Sequence, residues 1–158
     1  QEQIEFTRIY QDLGSHEPRW FVLDEIMPRS YTSVSITFMT NLHDISLYAD
    51  PMLEKVFFNL LDNSIRHGKW VTEIRVSVLD TGDGMKIVWE DNGTGVPDEE
   101  KESIFEYGVG KNTGFGMFLV KEILLLTGIS ICETGTYERG ARFEIAVPKG
   151  VYRRETSR

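Results

Sequence analysis

Residues 50–68 read DPMLEKVFFNLLDNSIRHG and predict an amphipathic helix with a defined beginning and end. Asp50 followed by Pro51 is typical of a helix start, because aspartate caps free amides and proline fits the first helical position. Gly68 is a typical stop. Apolar residues recur at helical spacing and predict a wide core-facing surface formed by Leu53, Val56, Phe57, Leu60, Leu61 and Ile65.

The chain on either side of this helix alternates between strand-like and helical patterns. Period-two alternation and short apolar runs predict strands at 33–38, 45–49, 74–78, 85–89, 129–134 and 141–147. Helical spacing predicts further helices at 6–13, 20–27 and 115–126. This order predicts an α+β fold. We expect a two-layer α/β sandwich, with a mixed five- to six-stranded sheet, three helices on one face and a long loop at 91–116.

The bulk composition limits the class of protein. The chain has 158 residues, of which 41% are hydrophobic, enough for one core, and its net charge of −8 argues against nucleic acid as a partner. Without a run of about 20 apolar residues, this segment is expected to be cytoplasmic and free of membrane contact, while the parent protein could be soluble or anchored. Cys132 is the only cysteine and is expected to be a buried strand residue.

A polar face on the central helix is a candidate metal and phosphate site. Asn59 and Asn63 are four residues apart, so they lie on the same face, and Arg66 and His67 continue it. Amide oxygens are hard ligands suited to Mg²⁺, and an arginine adds a donor for phosphate. The alternative is an ordinary solvated helix face.

The stretch from Asp91 to Pro97, DNGTGVP, is a candidate base pocket. Asp91 follows a strand with apolar inward residues, so its carboxylate is expected to be partly buried and to need donors. The amino group of adenine is such a donor, whereas guanine has a carbonyl there and would be repelled. Gly93 and Gly95 would allow the backbone to approach a base closely. The alternative is an ordinary Asp/Asn/Gly turn.

The glycine-rich stretch at 108–116, GVGKNTGFG, runs directly into a predicted helix. Free amides and the helix dipole at such an N-terminus favour an anion, and Lys111 could add positive charge. The spacing matches neither the P-loop nor the dinucleotide fingerprint. The alternative is a flexible loop that leads into a capped helix.

Four segments, in this order, resemble the sequence boxes of protein histidine kinases. Residues 59–67 resemble the asparagine box, 91–95 the first glycine box, 104–106 the phenylalanine box and 114–120 the second glycine box. The resemblance extends over residues 20–148 and implies the Bergerat ATP-binding fold, shared with type II topoisomerases, mismatch-repair ATPases and a heat-shock chaperone. It implies the ATP-binding catalytic domain of a two-component sensor histidine kinase, with ATP and Mg²⁺ as cofactors.

The resemblance also implies roles for individual residues. The catalytic group would be Asn59, Asn63 and Arg66, with Asn63 binding Mg²⁺ and Asn59 beside it near the metal. Asp91 would hold the adenine amino group, and Phe105 would anchor a mobile ATP lid between residues 97 and 113. Further nucleotide contacts are implied for His67, Gly93, Gly95, Val96, Lys111, Thr113, Gly114, Phe115 and Gly116. Asn112 departs from the family, which usually has a glycine there.

The same resemblance implies how the chain divides into segments with different roles. Residues 1–14 would be the end of the helical hairpin that carries the phosphoacceptor histidine and drives homodimerisation, 15–19 a linker, 20–148 the ATP-binding domain and 149–158 a frayed basic tail. Neither His16 nor His43 fits the phosphoacceptor pattern. We therefore expect a donor half that is inactive alone and serves a histidine on that hairpin, with a response-regulator receiver domain as the next partner.

Three alternatives stay open at this point. An ATP-hydrolysing relative or an anti-sigma-factor serine kinase usually has a glutamate four residues before the metal-binding asparagine, where this chain has Asn59. A non-catalytic interaction module would keep the fold without binding nucleotide.

Overall fold

The computed structural model describes residues 2–29, 35–107 and 116–155, with side chains from residue 7 onward. The helices are α1 Glu2–Asp12, α2 Leu23–Ile26, α3 Leu53–His67 and α4 Gly116–Leu125. The strands are β1 Arg19–Val22, β2 Thr37–Thr40, β3 Ile45–Ala49, β4 Glu73–Asp80, β5 Gly84–Asp91, β6 Ser130–Glu133, β7 Arg142–Pro148 and β8 Tyr152–Arg154. Short 3-10 turns at Asp98–Glu100 and Ser103–Phe105 lie in the long loop.

The larger sheet has five strands in the order β2-β4-β5-β7-β6. β2 and β4 are parallel and the other neighbours are antiparallel, which confirms the expected mixed sheet. Its inner face is apolar, and α3 packs on it, with the Phe57 and Trp89 rings 6.5 Å apart. Fully buried side chains on this face are Ile74, Val76, Ile87, Trp89, Phe143 and Ile145.

The opposite face of this sheet has a network of ion pairs. Lys86 Nζ lies 2.9 Å from Glu144 Oε1, and Arg142 Nη1 lies 3.1 Å from Glu90 Oε2. Hydrogen bonds from Lys86 and Thr134 lower the pKa of Glu144 to about 2. A face covered by such charges would be costly to bury, so the apolar helix faces pack on the other side.

A second sheet, β1-β3-β8, is antiparallel throughout and was not predicted. The expected helix at 20–27 is wrong over its first half, because residues 19–22 pair with β3, and the short helix α2 follows. The expected frayed tail at 149–158 is wrong over Tyr152–Arg154, which pair with β3 on its other side. The guanidinium of Arg153 lies 4.3 Å from the Trp20 ring centroid, joining the two outer strands.

Two side chains expected in the core are exposed. Ile65 is 36% exposed, and Ser64 is fully buried in its place. The core-facing residues of α3 are at positions 53, 56, 57, 60, 61 and 64. Position 65 is rotated about 100° from position 64 and therefore points away from the core. Cys132 is likewise exposed, because alternation along β6 places Glu133 inward instead.

Most other element predictions are confirmed with shifted ends. The central helix, the β4–β5 hairpin and the β6–β7 pair all form. The strand expected at 33–38 is found at Thr37–Thr40, and part of the predicted range, 33–34, lies outside the described residues.

The predicted first helix forms as α1, and the described apolar side chains at its C-terminal end pack onto the rest of the molecule. Ile9 and Leu13 lie against the core, and the Tyr10 ring stacks on Phe118 of α4 at 5.9 Å. That α1 ends a phosphoacceptor hairpin stays a prediction. Among the described residues, the helices lack the combination of length and apolar character that a membrane crossing requires.

Candidate functional site

The carboxylate of Asp91 lies buried at the end of β5, and the residue is 8% exposed. Its Oδ1 accepts hydrogen bonds from the backbone amides of Gly93, at 2.9 Å, and Ala141, at 3.0 Å. Its Oδ2 accepts a hydrogen bond from Ser64 Oγ at 2.8 Å. The sequence-based expectation of a partly buried carboxylate supplied with donors is confirmed.

Two side chains of this network were missed by sequence reasoning. Ser64 is fully buried on α3, and its Oγ also accepts a hydrogen bond from Trp89 Nε1 at 3.1 Å. Trp89 and Asp91 are two residues apart on β5, so they point to the same face of the sheet. The sequence signal that could have found Ser64 is its spacing, since it follows Leu60 and Leu61 at the helical interval of the inward face.

The two glycines after Asp91 are required by contacts within the protein. A Cβ on Gly93 would lie 2.4 Å from the Gly68 carbonyl oxygen. Gly95 has φ +76°, and a Cβ there would lie 2.7 Å from the Gly140 carbonyl oxygen. These glycines thus let three backbone segments meet around Asp91. That they also shape an adenine pocket stays a prediction.

A buried ion pair connects the loop after Gly95 to the β6–β7 turn. Lys101 Nζ donates to the carbonyl oxygens of Val96, at 3.0 Å, and Gly135, at 2.9 Å, and is paired with Glu133. The Glu133 side chain is fully buried, and its second oxygen accepts the Arg142 amide at 2.9 Å. Sequence reasoning missed this pair, whose members are 32 residues apart.

The polar residues of α3 lie on the turns before and after Ser64. Asn59 Nδ2 donates to the carbonyl oxygen of Gly116 at 3.1 Å, which joins α3 to the first residue of α4. Asn63 is half-buried, and no hydrogen bond engages its amide within the described part of the chain. Arg66 Nε lies 2.9 Å from Asp62 Oδ1, and both side chains are about half exposed.

His67, at the end of the same helix, is exposed, and its carbonyl oxygen accepts a hydrogen bond from Thr94 Oγ1 at 2.9 Å. The end of α3 is therefore joined to the loop that follows Asp91. Hydrogen bonds therefore join α3 to the first glycine box at the end of β5, which is the central strand of the larger sheet.

Phe105, in the predicted phenylalanine box, is 6% exposed and packs edge-on against Phe143 with ring centroids 6.2 Å apart. Its role as a lid anchor stays a prediction. Four residues predicted to contact nucleotide lie outside the described residues, namely Lys111, Thr113, Gly114 and Phe115.

The described residues contain no group of three or more histidine, cysteine or acidic side chains that could hold a metal ion. A cation at this site would depend on amide oxygens and on oxygens of a bound ligand and water. Mg²⁺ is the ion that commonly accepts such a sparse set of protein ligands.

Comparison with known proteins gives a consistent result. The family model for histidine kinase-, DNA gyrase B- and HSP90-like ATPases matches residues 49–151. The alginate biosynthesis sensor protein KinB of Pseudomonas aeruginosa is 37% identical over 101 residues, which are 61% of this chain and 17% of that protein. The chain thus spans less than a fifth of this curated relative.

Solved structures agree with this match. The nucleotide-free catalytic domain of histidine kinase ThkA superposes with a TM-score of 0.70 at 25% identity, covering 85% of this chain and 99% of that one. A complex of ThkA with the response regulator TrrA matches with a TM-score of 0.67 at 20% identity, covering 94% of this chain and 47% of that one. By its fold and sequence, the chain belongs to the family of histidine kinase-, DNA gyrase B- and HSP90-like ATPases, as an ATP-binding domain homologous to the catalytic domains of sensor histidine kinases.

Proposed function

We propose that this chain is the donor half of a two-component histidine kinase, which binds Mg-ATP and transfers its γ-phosphoryl group to a histidine on a helical hairpin. The observation that carries the proposal is that two features lie together where α3 passes the end of β5. Asp91 is a buried carboxylate held by Ser64 and two backbone amides, and Asn63, next to Ser64 on α3, has a side-chain amide that makes no hydrogen bond with the described residues.

The Asp91 end is suited to the base of ATP. A carboxylate has about four acceptor positions, and three are filled by Ser64, Gly93 and Ala141. The remaining position, on Oδ2, can accept one N–H donor. The amino group of adenine supplies that donor, whereas the carbonyl of guanine would face a second acceptor and be repelled.

The Asn63 end is suited to the phosphates and their metal ion. The Asn63 amide oxygen is open among the described residues, whereas Asn59 uses its amino group to hold Gly116 and keeps its oxygen available. Both oxygens are hard ligands. Bound Mg²⁺ would neutralise charge on the phosphate oxygens. Arg66, about half exposed, would add a donor for phosphate beyond its bond to Asp62.

The residues of α3 favour phosphoryl transfer over hydrolysis. Water activation requires a general base, and the position four residues before Asn63 is occupied by Asn59, whose amide cannot take up a proton. In the transfer, an imidazole nitrogen of the acceptor would attack the γ-phosphorus, and the bond to the bridging oxygen would break, leaving ADP with the electron pair. The domain would contribute positioning and charge neutralisation.

The acceptor histidine and the later steps belong to parts of the parent protein beyond the domain core. We infer that α1 continues the hairpin that carries the acceptor and forms the homodimer. The complex of ThkA with TrrA supports a receiver domain as the next partner, and we infer a cytoplasmic location, where ATP is supplied.

The test is calorimetric titration of the domain with ATP and Mg²⁺, beside Asp91→Asn and with GTP as a second ligand. We expect ATP to bind and GTP to bind poorly. Asp91→Asn should weaken ATP about 10- to 100-fold, because a hydrogen bond to a charged acceptor is lost. Glu90→Gln is the matched control, since Glu90 is the next residue on β5 and faces the opposite side.

Phosphotransfer is tested by adding a separate hairpin segment and measuring acid-labile, base-stable phosphate on its histidine. A folded wild-type domain that binds no ATP would refute the proposal and favour an interaction module. ATP turnover without phosphohistidine would favour an ATP-hydrolysing relative.

A further inference from the structure

The buried network behind Asp91 has a fixed hydrogen-bond direction. An indole nitrogen can only donate, so Ser64 Oγ must accept from Trp89 Nε1 at 3.1 Å. A carboxylate only accepts, so the Ser64 hydroxyl must donate to Asp91 Oδ2 at 2.8 Å. The order of donors and acceptors along Trp89, Ser64 and Asp91 therefore permits a single arrangement.

The indole at the start of this chain of bonds is itself held in place. Trp89 is fully buried, its ring lies 6.5 Å from the stacked Phe57 ring, and Phe38 packs edge-on at 5.6 Å. Rotation of the indole would require these rings to move within a close-packed core. The direction of the Ser64 hydroxyl is thus set by the core of the domain.

The fixed direction of the Ser64 hydroxyl determines which acceptor position of Asp91 stays open. Oδ1 is filled by two backbone amides, and Ser64 fills one of the two positions on Oδ2. We propose that Ser64, oriented by Trp89, is a positioning residue that selects the base: it holds Oδ2 so that its one open acceptor faces an exocyclic amino group. This inference rests on the proposed function and adds a specificity determinant to it.

The test separates recognition of the amino group from all other nucleotide contacts. ATP and purine riboside 5′-triphosphate share sugar and phosphates, but the second lacks the 6-amino group. We expect Ser64→Ala to weaken ATP about 5- to 20-fold and to leave purine riboside triphosphate within about twofold, because only the amino group uses Oδ2. A purely structural role for Ser64 would lower both affinities together.

Two further variants keep the test decisive. Trp89→Phe retains the serine but removes the donor that orients it, so the preference for ATP should fall by about two- to fivefold even if Ser64→Ala is too unstable to titrate. Ser46→Ala is the matched control, because Ser46 is a buried serine on β3 in the other sheet, and its loss should leave the preference unchanged.

The outcomes are distinct. Equal weakening of both nucleotides by Ser64→Ala and Trp89→Phe, or an unchanged preference in both variants, would overturn the positioning role while the proposed function stands. A wild-type domain that binds neither nucleotide would remove the proposed function itself, and this inference with it.

Discussion

The two ends of the proposed nucleotide site are built in different ways. At the Asp91 end, the carboxylate is buried, three hydrogen bonds hold it, and Gly93 and Gly95 pack directly on neighbouring backbone. At the Asn63 end, the side chains are half-buried or exposed. They are held by single bonds, such as that from Asn59 to Gly116, or by none among the described residues.

This difference indicates that selection of the base and binding of the metal ion and phosphates would depend on separate parts of the domain. The residues that would choose the base are part of the hydrophobic core, so changing them also changes the stability of the domain. The residues that would hold metal and phosphate lie on a helix surface, so we expect their replacement to have little effect on stability. Each of the following predictions tests this separation, beginning with the largest expected loss of stability.

Gly140→Ala should have the largest effect. Gly140 has φ +128°, and a Cβ there would lie 2.0 Å from the Asp91 carbonyl oxygen, so both backbone strain and a clash arise. We expect a loss of more than about 3 kcal/mol in the free energy of unfolding, measured by urea denaturation.

Gly116→Ala is the matched control at the other end. The nearest described atom to a Cβ on Gly116 is Asn59 Cγ at 3.9 Å, an ordinary contact. The free energy of unfolding should change by less than about 0.5 kcal/mol. Comparable losses of unfolding free energy in the two variants would show that the Asp91 end is not packed more tightly than the Asn63 end.

Lys101→Met should have the next largest effect. It would leave the fully buried Glu133 without its ion-pair partner, and we expect a loss of about 2–3 kcal/mol in the free energy of unfolding, less than for a fully buried pair because Lys101 is 19% exposed. Lys86→Met is the control, because the partly exposed pair with Glu144 is expected to contribute about 1 kcal/mol. If the two variants lost the same free energy of unfolding, the loop after Gly95 would not belong to the tightly packed Asp91 end of the site.

Asn63→Ala should have the smallest effect on stability and a clear effect on binding. Its amide makes no bond with the described residues, so the free energy of unfolding should stay within about 0.5 kcal/mol. ATP affinity in Mg²⁺ should fall about tenfold, whereas affinity in EDTA should be unchanged. A similar loss in EDTA would show that Asn63 does not act through the metal ion.

The parts of the fold that follow local patterns were predictable from the sequence. The apolar spacing of α3, the alternation of β4 and β5 and the β6–β7 pair each arise within one segment or between neighbours. The buried carboxylate of Asp91 was predictable for the same reason, since it directly follows an apolar strand. Its backbone partner Ala141 lies 50 residues away and was not predictable.

The features that were missed depend on partners that are distant in the sequence, or on which of two neighbouring helix residues faces the core. The strands β1 and β8 exist because both pair with β3, and neither segment shows this by itself. Ser64 was missed because the apolar residue Ile65 was assigned to the core-facing surface of α3. Its polar neighbour Ser64 was therefore not expected in the core. The Lys101–Glu133 pair could not be seen, because charged residues in a loop and on a strand are usually solvated.

The three-stranded sheet has a practical consequence for how the domain is isolated. The family model matches residues 49–151, but β1, β8 and all of β3 except Ala49 lie outside that segment. A fragment cut at those limits would lose the cover formed by Phe21 and Leu47, leaving an apolar surface prone to aggregation. The segment that the family model matches is therefore smaller than the segment that forms the two sheets, and expression boundaries should include β1 and β8.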